Sequence, residues 1–470
     1  MHQEFISPSV PKKLYGKHTQ AAIENFPISG WQMPSEFLMA LALIKEHAAR
    51  VNGSLGVIPK SRAHAIAAAA VLIKKGKYLD QFPVDVFQTG SGTSTNMNMN
   101  EVIAGIANEE MSHLSTRPPR RTRSPLRQGY EGQARKVEYI HPNDHVNRCQ
   151  SSNDVIPSAL QISTALYVRD ELIPAIAFLI KELSKKEKEF ASIIKIGRTH
   201  LMDAVPVRMG DEFRAYSALL VQSIESLTYA IEKLCTLPLG GTAVGTGMNA
   251  HPQFAKKVIA ALKKETQLPL EEAEDHITAQ SCPLAFKTLS SAITELALTL
   301  TKIAHDIRFM GSDSIAELIL PGLQAGSSIM PGKVNPVLCE SMEQVSAWVM
   351  GAEVTIAQCI AHMSRFELCT GYPVIASTLH TSMMLLTNIT QIFAKKCVRG
   401  LKANTKLIQH RLERSPMLAT ALAPEIGYEK AAEIAKEALK TGETIVEVAL
   451  RSSKIPRARL KKLLNPNRMV

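Results

Sequence analysis

The chain predicts a mostly α-helical fold of two or three domains around a central region of long helices. Three observations point there. At 470 residues the chain is far longer than one small core needs. Hydrophobic residues make up 45% and mean hydropathy is −0.01, as in globular chains rich in both core and surface. Apolar residues also recur at helical spacing over long stretches. Leu220, Ile224, Leu227, Ile231 and Leu234 form one seam. Leu289, Ile293, Leu296, Leu300, Ile303 and Ile307 form a second, and Met342, Val345, Val349, Ala352 and Ile356 a third. Steps of three and four put each series on one helix face, and helices that bury such seams side by side make a bundle.

Residues 1–140 are expected to form an N-terminal, mainly helical domain of short helices, turn-rich links and a basic loop at about 117–136. Residues 141–396 are expected to hold the bundle, helical almost throughout. Residues 397–470, richer in Lys and Arg, are expected to add a small C-terminal domain of two or three short helices. No internal repeat is visible. The seams would suit contacts between subunits as well as the core of one chain.

No run of about 18 apolar residues occurs, so no transmembrane helix is expected. The start, Met-His-Gln-Glu-Phe-Ile-Ser-Pro, lacks a secretory pattern. The seven cysteines, at 149, 235, 282, 339, 359, 369 and 397, are scattered and form no CxxC pair. A reducing, cytoplasmic setting with buried or idle thiols is expected. The formal net charge is +11. Much of it is local: residues 117–136 hold seven basic side chains and one acidic one. A solvated surface loop accounts for that run, and a polyanion-binding segment is the alternative. Tyr130 is the one aromatic residue within it and no nucleic-acid fold is recognisable, so nucleic acid is not the expected partner.

Five polar clusters could carry chemistry. Thr89-Gly90-Ser91-Gly92-Thr93 can converge N–H groups and hydroxyls on a carboxylate, or can simply precede a helix. His141-Pro142-Asn143-Asp144 is followed by Ser151-Ser152-Asn153, which offers neutral donors at a helix mouth or an ordinary cap. Gly197-Arg198-Thr199-His200 supplies an imidazole able to exchange protons near neutral pH. Gly240-Gly241-Thr242-Ala243-Val244-Gly245-Thr246-Gly247 lacks the register of a nucleotide loop and reads as a tight turn shaping a pocket. The fifth, Gly326-Ser-Ser-Ile-Met-Pro-Gly-Lys-Val-Asn-Pro336, packs hydroxyls, an amine and an amide between structure-breaking residues. Lys333 and Asn335 can hold a carboxylate, and Ser327 or Ser328 could accept a proton if nearby donors stabilise an alkoxide. Glu340 follows. No metal signature and no Walker loop are present, so a cofactor-free reaction is expected.

In this order the clusters, with Ile426-Gly-Tyr-Glu-Lys-Ala-Ala432 near the end, resemble the class II fumarase family of the fumarase/aspartase superfamily. The resemblance runs from about residue 10 to the C-terminus. It implies a lyase that reversibly eliminates water from a small dicarboxylate, (S)-malate, to give fumarate. It implies a three-domain, mostly α-helical subunit with a central long-helix bundle, and a homotetramer whose active sites each draw on three subunits. By motif, Ser327 would be the base, and His200 with Glu340 would serve the leaving hydroxyl. Ser91, Gly92, Thr93, Ser151, Ser152, Asn153, Thr199, Ser328, Lys333, Val334 and Asn335 would hold substrate. His141, Pro142, Asn143 and Asp144 would form a secondary dicarboxylate site.

An ammonia-lyase acting on aspartate is the alternative on the same scaffold. His141 before Pro-Asn-Asp, Ser151-Ser152-Asn153, Phe366-Glu367-Leu368 and Gly332 before Lys333 resemble fumarases. Leu320-Pro321-Gly322-Leu323-Gln324-Ala325 resembles aspartases. Two departures from the fumarase pattern stand out. Gly311-Ser312-Asp313-Ser314-Ile315-Ala316-Glu317 replaces a Gly-Pro-Arg segment, and the basic stretch at 117–136 lengthens the link before His141.

Overall fold

The computed structural model describes residues 13–116 and 139–470; the basic stretch at 117–136 lies outside them. Seventeen α-helices occur among the described residues. In chain order they are α1 (Lys17–Asn25), α2 (Ser35–Ser54), α3 (Lys60–Lys74), α4 (Thr93–Thr116), α5 (Ser152–Tyr167) and α6 (Ile173–Glu189). Then come α7 (Met209–Leu234), α8 (Phe254–Thr266), α9 (His276–Ser281), α10 (Leu284–Met310), α11 (Val337–Met363) and α12 (Tyr372–Ile392). The last five are α13 (Thr405–Arg414), α14 (Ala423–Ile426), α15 (Tyr428–Thr441), α16 (Ile445–Ser452) and α17 (Arg457–Leu463).

Strands are short and paired in twos. They are β1 (Ile194–Thr199), β2 (Met202–Arg208), β3 (Thr236–Leu237), β4 (Glu271–Glu272), β5 (Leu318–Ile319), β6 (Ser364–Arg365), β7 (Leu368–Cys369) and β8 (Lys402–Ala403). β1–β2, β5–β8 and β6–β7 are antiparallel, while β3–β4 is parallel. The β1–β2 hairpin interrupts the expected helical run. Its apolar residues alternate rather than recur at three and four, so a helix there would scatter them around its surface.

The chain divides into two compact units. One comprises Met1–Glu171, Leu227–Ile293 and Met350–Met384; the other comprises Leu172–Ser226, Thr294–Val349 and Leu385–Val470. Helices α7, α10, α11 and α12 each run through both units.

The seams bury as their spacing requires at all but two positions, Ile224 and Val345, which are half-buried. Leu289, Ile293, Leu296, Leu300, Ile303 and Ile307 are buried along α10, and Leu220, Leu227, Ile231 and Leu234 along α7. Met342, Val349, Ala352 and Ile356 are buried along α11. The same helices expose other large apolar groups: Val221 and Tyr229 on α7, Leu298 on α10, Trp348 and Val354 on α11, Met384 on α12.

In the first unit α2, α3 and α4 run 20, 15 and 24 residues, not the short stretches expected. In α2 almost every residue from Phe37 to Ala49 is buried, including Lys45, Glu46 and His47. A helix buried on all sides has no polar face, so it shows no seam. The C-terminal helices bury Leu412, Leu418, Leu422, Ile434, Ile445, Val448, Leu460 and Leu464 together with Ile196 of β1. All seven cysteines are free; six are buried and Cys282 is exposed. No helix among the described residues is long and apolar enough to cross a membrane.

Candidate active site

Two helix N-termini meet in the first unit. Gly92, at φ +74°, turns the chain into α4 at Thr93. Gly90 passes so close to a neighbour that a Cβ there would lie 2.0 Å from the Thr370 carbonyl oxygen. Ser151 caps α5, and its Oγ accepts the Asn153 N–H at 3.2 Å. Asp154 closes the capping box by accepting the Ser151 N–H at 2.9 Å. The two termini share one hydroxyl chain: Ser91 Oγ to Thr93 Oγ1 is 2.7 Å, and Thr93 Oγ1 to Ser152 Oγ is 2.8 Å. Asn153 Nδ2 donates to the Ala243 carbonyl at 2.8 Å, which fixes the glycine-rich loop beside them. Neutral donors at two positive helix ends favour an anion.

Fully buried side chains support this cluster. Asp154 Oδ2 accepts the N–H groups of Gly240 and Thr242, both at 3.0 Å. Burial pushes its carboxyl up, against the pull of those N–H groups and of Lys45. Lys45 Nζ donates to Asn147 Oδ1 at 2.9 Å, and Asn96 Nδ2 donates to the same oxygen at 3.1 Å. Asn147 Nδ2 donates in turn to the Gln150 carbonyl at 3.1 Å, one residue before Ser151. Burial lowers the Lys45 ammonium to about 7, with the Asp154 charge opposing.

The second cluster is a π-helical turn, Pro142–Val146. His141 caps it: its Nδ1 accepts the Asp144 N–H at 3.2 Å and lies 3.3 Å from Asp144 Oδ2. Asn143 and Asp144 are exposed. His141, Pro142 and Asn143 line a cavity of about 530 Å³ with Tyr15, Lys17, His18 and Tyr139.

In the second unit His200 stands at the tip of the β1–β2 hairpin. Thr199 pairs with Met202, so His200 and Leu201 form the two-residue turn at φ +55° and +59°. Such a turn normally takes Asn or Gly, and two side-chained residues there hold strain. Thr199, His200, Leu201 and Met202 are all exposed.

The signature loop closes on itself. The Gly326 N–H donates to the Lys333 carbonyl at 2.9 Å, and Asn335 Nδ2 donates to the Gly326 carbonyl at 2.8 Å. A Cβ at Gly326 would lie 2.4 Å from the Lys333 oxygen, so only glycine fits this closure. Inside the loop, Ser327 Oγ accepts the N–H groups of Ile329 and Met330, both at 3.2 Å. Two N–H donors on one hydroxyl oxygen favour its deprotonated form. Ser328, Lys333 and Val334 are exposed on the loop, which encloses a cavity of about 340 Å³.

Glu340 lies in the first turn of α11, 3.6 Å from Arg308 Nη2. Among the described residues no ion pair joins it to His200 within one chain. One group of metal-type ligands exists among them: Glu46, His47 and Glu265. Lys74 Nζ already bonds both glutamates, so an ammonium fills the place a cation would take.

Within one unit, then, Ser91, Gly92 and Thr93 gather with Ser151, Ser152 and Asn153. The loop residues gather in the other, as does the hairpin with Thr199 and His200. Sequence reasoning assigned no role to Lys45, Asn147, Asp154, Arg198 or Glu317. Asp154 was legible as the third residue of a capping box after Ser151. Lys45 gave no signal, since one lysine in an apolar helix ordinarily reaches water.

The lyase family model matches residues 9–351, and the model described as the fumarase C C-terminus matches residues 418–470. The chain is 44% identical over 458 residues to a class II fumarate hydratase of Xylella fastidiosa, covering 96% of this chain and 91% of that protein. It is 43% identical over 454 residues to the class II fumarate hydratase of Mycobacterium tuberculosis, covering 96% and 90%. Among solved structures it resembles a class II fumarase from Schistosoma mansoni, with TM-score 0.89, 34% identity, and 98% and 96% of the two chains covered. A fumarate lyase from Brucella melitensis, solved bound to cobalt, gives TM-score 0.89 at 38% identity, again covering 98% and 96%.

Proposed function

The chain belongs to the lyase family of fumarase/aspartase type, and on that premise we propose that it is a class II fumarate hydratase, interconverting (S)-malate and fumarate. Members of this family act on small dicarboxylates and are usually oligomeric. The geometry that best supports the reading is the Ser327 hydroxyl, held by two peptide N–H groups inside a glycine-closed loop.

In this reading Ser327, as alkoxide, takes the C3 proton of malate. The C–H electron pair flows into the neighbouring carboxylate, which then carries two negative charges. Donors that meet that doubled charge lower the barrier most. Lys333 and Asn335 supply them with Thr199, aided by Ser328 and the Val334 backbone. Ser91, Gly92, Thr93, Ser151, Ser152 and Asn153 receive a carboxylate at the two helix ends. As the C2–O bond breaks, the hydroxyl leaves as water with a proton from His200, oriented by Glu340 through a water. His141, Pro142, Asn143 and Asp144, at the rim of their own cavity, form a secondary dicarboxylate site.

The assembly we propose is a homotetramer with each site drawn from three subunits. The exposed apolar groups on α7, α10, α11 and α12 support it, since a monomer would leave Trp348, Leu298 and Val354 in water. The subunit then divides into residues 1–140, 141–396 and 397–470. A cytoplasmic setting completes the reading.

The test is absorbance at the fumarate band with purified protein, offering (S)-malate and L-aspartate separately. A rise with malate alone, lost in Ser327→Ala and His200→Ala, supports the assignment. A rise with aspartate alone moves the activity to ammonia elimination, as the aspartase-like Leu320–Ala325 stretch would allow.

A further inference from the structure

The motif residue Arg198 and the departure segment ending at Glu317 carry no role in the reaction above, yet they meet. Arg198 Nη1 and Nη2 bond the two oxygens of Glu317 at 3.0 and 2.6 Å, a bidentate fork. Lys195 Nζ lies 3.2 Å from Glu317 Oε2 and 2.9 Å from Glu212 Oε1. Glu317 and Lys195 are each 2% exposed at the side chain and Arg198 is 11% exposed. The Arg198 guanidinium also lies over the Phe309 ring, 5.9 Å from its centroid, at the end of α10.

Burying charged groups in this way is a poor means of stabilising a fold. Well-packed apolar residues of similar volume often do as well or better. Such a cluster does fix direction, because a bidentate fork tolerates little rotation.

The directions it fixes are those of two motif-bearing segments. Arg198 lies two residues before His200, just past a bulge where pairing slips between Ile196–Pro206 and Arg198–Asp203. Gly197 at that bulge approaches the Val205 carbonyl so closely that a Cβ would lie 2.7 Å away. Glu317 lies directly before β5, the stem from which residues 320–336 emerge. Its own carbonyl accepts the Asn404 N–H at 2.9 Å, tying it to the β5–β8 pair. The departure segment is held from outside: Arg411 of α13 donates to the carbonyls of Ser314 and Ile315 at 2.6 and 2.5 Å.

We propose that Arg198 and Glu317 are positioning residues: their buried fork clamps the His200 hairpin to the stem of the 320–336 loop, so that both segments are held in their working directions by one contact. The strained turn at His200 and Leu201 contains no glycine and is kept in place from below.

The kinetic arm rests on the fumarate hydratase reading; the exchange arm does not. In full-length protein, Glu317→Gln removes the charge and one acceptor oxygen at constant size. Arg198→Met with Glu317→Leu replaces the fork by apolar packing and guards against a variant that merely fails to fold. Amide hydrogen exchange is expected to speed up together at residues 199–202 and 320–336 in both variants, with α10 and α15 unchanged. Change in only one segment, or in neither, overturns the clamp whether or not the protein turns over malate. With malate, kcat is expected to fall about tenfold to a hundredfold with KM within about threefold, as small misplacements of catalytic groups do. In a His200→Asn background Glu317→Gln is expected to cost little more. A full, independent loss there would also overturn the proposal.

Discussion

At the scale of single residues, chemistry is expected where an ordinary side chain has been given unusual neighbours. Ser327 is one of two adjacent serines, and the residues alone leave the pair open. The two N–H groups on its Oγ separate it from Ser328, which is exposed. Ser327→Ala is therefore expected to lower kcat by roughly 10²–10⁴, the usual range for a proton-transfer group, and Ser328→Ala by about tenfold or less; steady-state rates at the fumarate band decide it. Lys45 makes a prediction about pH. Its ammonium is lowered to about 7 by burial, whereas in the unfolded chain it titrates near 10.5. Between those values the unfolded state binds more protons at this position, so the contribution of Lys45 to stability should climb with pH over that window. Below pH 7 the full cost of the buried charge remains. In urea unfolding, the stability of the wild type relative to Lys45→Met should rise across that window. His380 behaves in the opposite corner of the scale. Burial among the bundle helices lowers it to about 4, with Glu36 opposing, and its Nε2 lies 2.9 Å from Ser163 Oγ. Acidification from pH 6.5 to 4 should thus erode stability through His380, and His380→Gln should remove that part of the acid sensitivity.

At the scale of elements, one glycine and one buried carboxylate hold the signature loop and the mouth of α5. Gly326→Ala would push a methyl group into the Lys333 carbonyl, against a hydrogen bond that closes the loop. The loop must open to accept it, and Ser327 then loses its fixed direction. The expected result is a loss of kcat of about a hundredfold with a melting temperature within a few degrees of wild type, because the loop is exposed and adds little core. Asp154→Asn tests the other mouth. It weakens the α5 capping box and replaces one of two acceptor oxygens that hold Ser151, Gly240 and Thr242. A cap is worth about 1 kcal/mol, and a buried charge-assisted bond about 1.5–3 kcal/mol, so a fall of about 2–4 kcal/mol is expected in denaturant unfolding. These elements differ in legibility. The turn chemistry of Gly326–Pro336 and the cap of α5 were plain from Gly, Pro, Ser and Asp at their offsets. The β1–β2 hairpin was not, since its turn is His200-Leu201 rather than a glycine pair.

At the scale of the whole molecule, long helices with a buried seam and a second, exposed apolar set predict association. On the proposed homotetramer with shared sites, Trp348→Glu combined with Val354→Glu should shift the protein to smaller species in light scattering and abolish turnover, because each shared site would disappear with the assembly. By itself the sequence determined the helical class, the seams of α7, α10 and α11, the order of the polar clusters and the family, because periodicity and contiguous motifs are local properties of a chain. It missed the lengths of α2, α3 and α4; for α2 the reason is that a helix enclosed on nearly every side loses the polar face that marks a period. Only the tertiary structure decided that Thr93 and Ser152, far apart in sequence, share one hydrogen bond at two helix ends. Only it decided that Lys45 is dry, and that Arg198 and Glu317 form a fork. Each of these depends on which distant segments exclude water from the same volume, and the spacing of residues along a chain does not specify that.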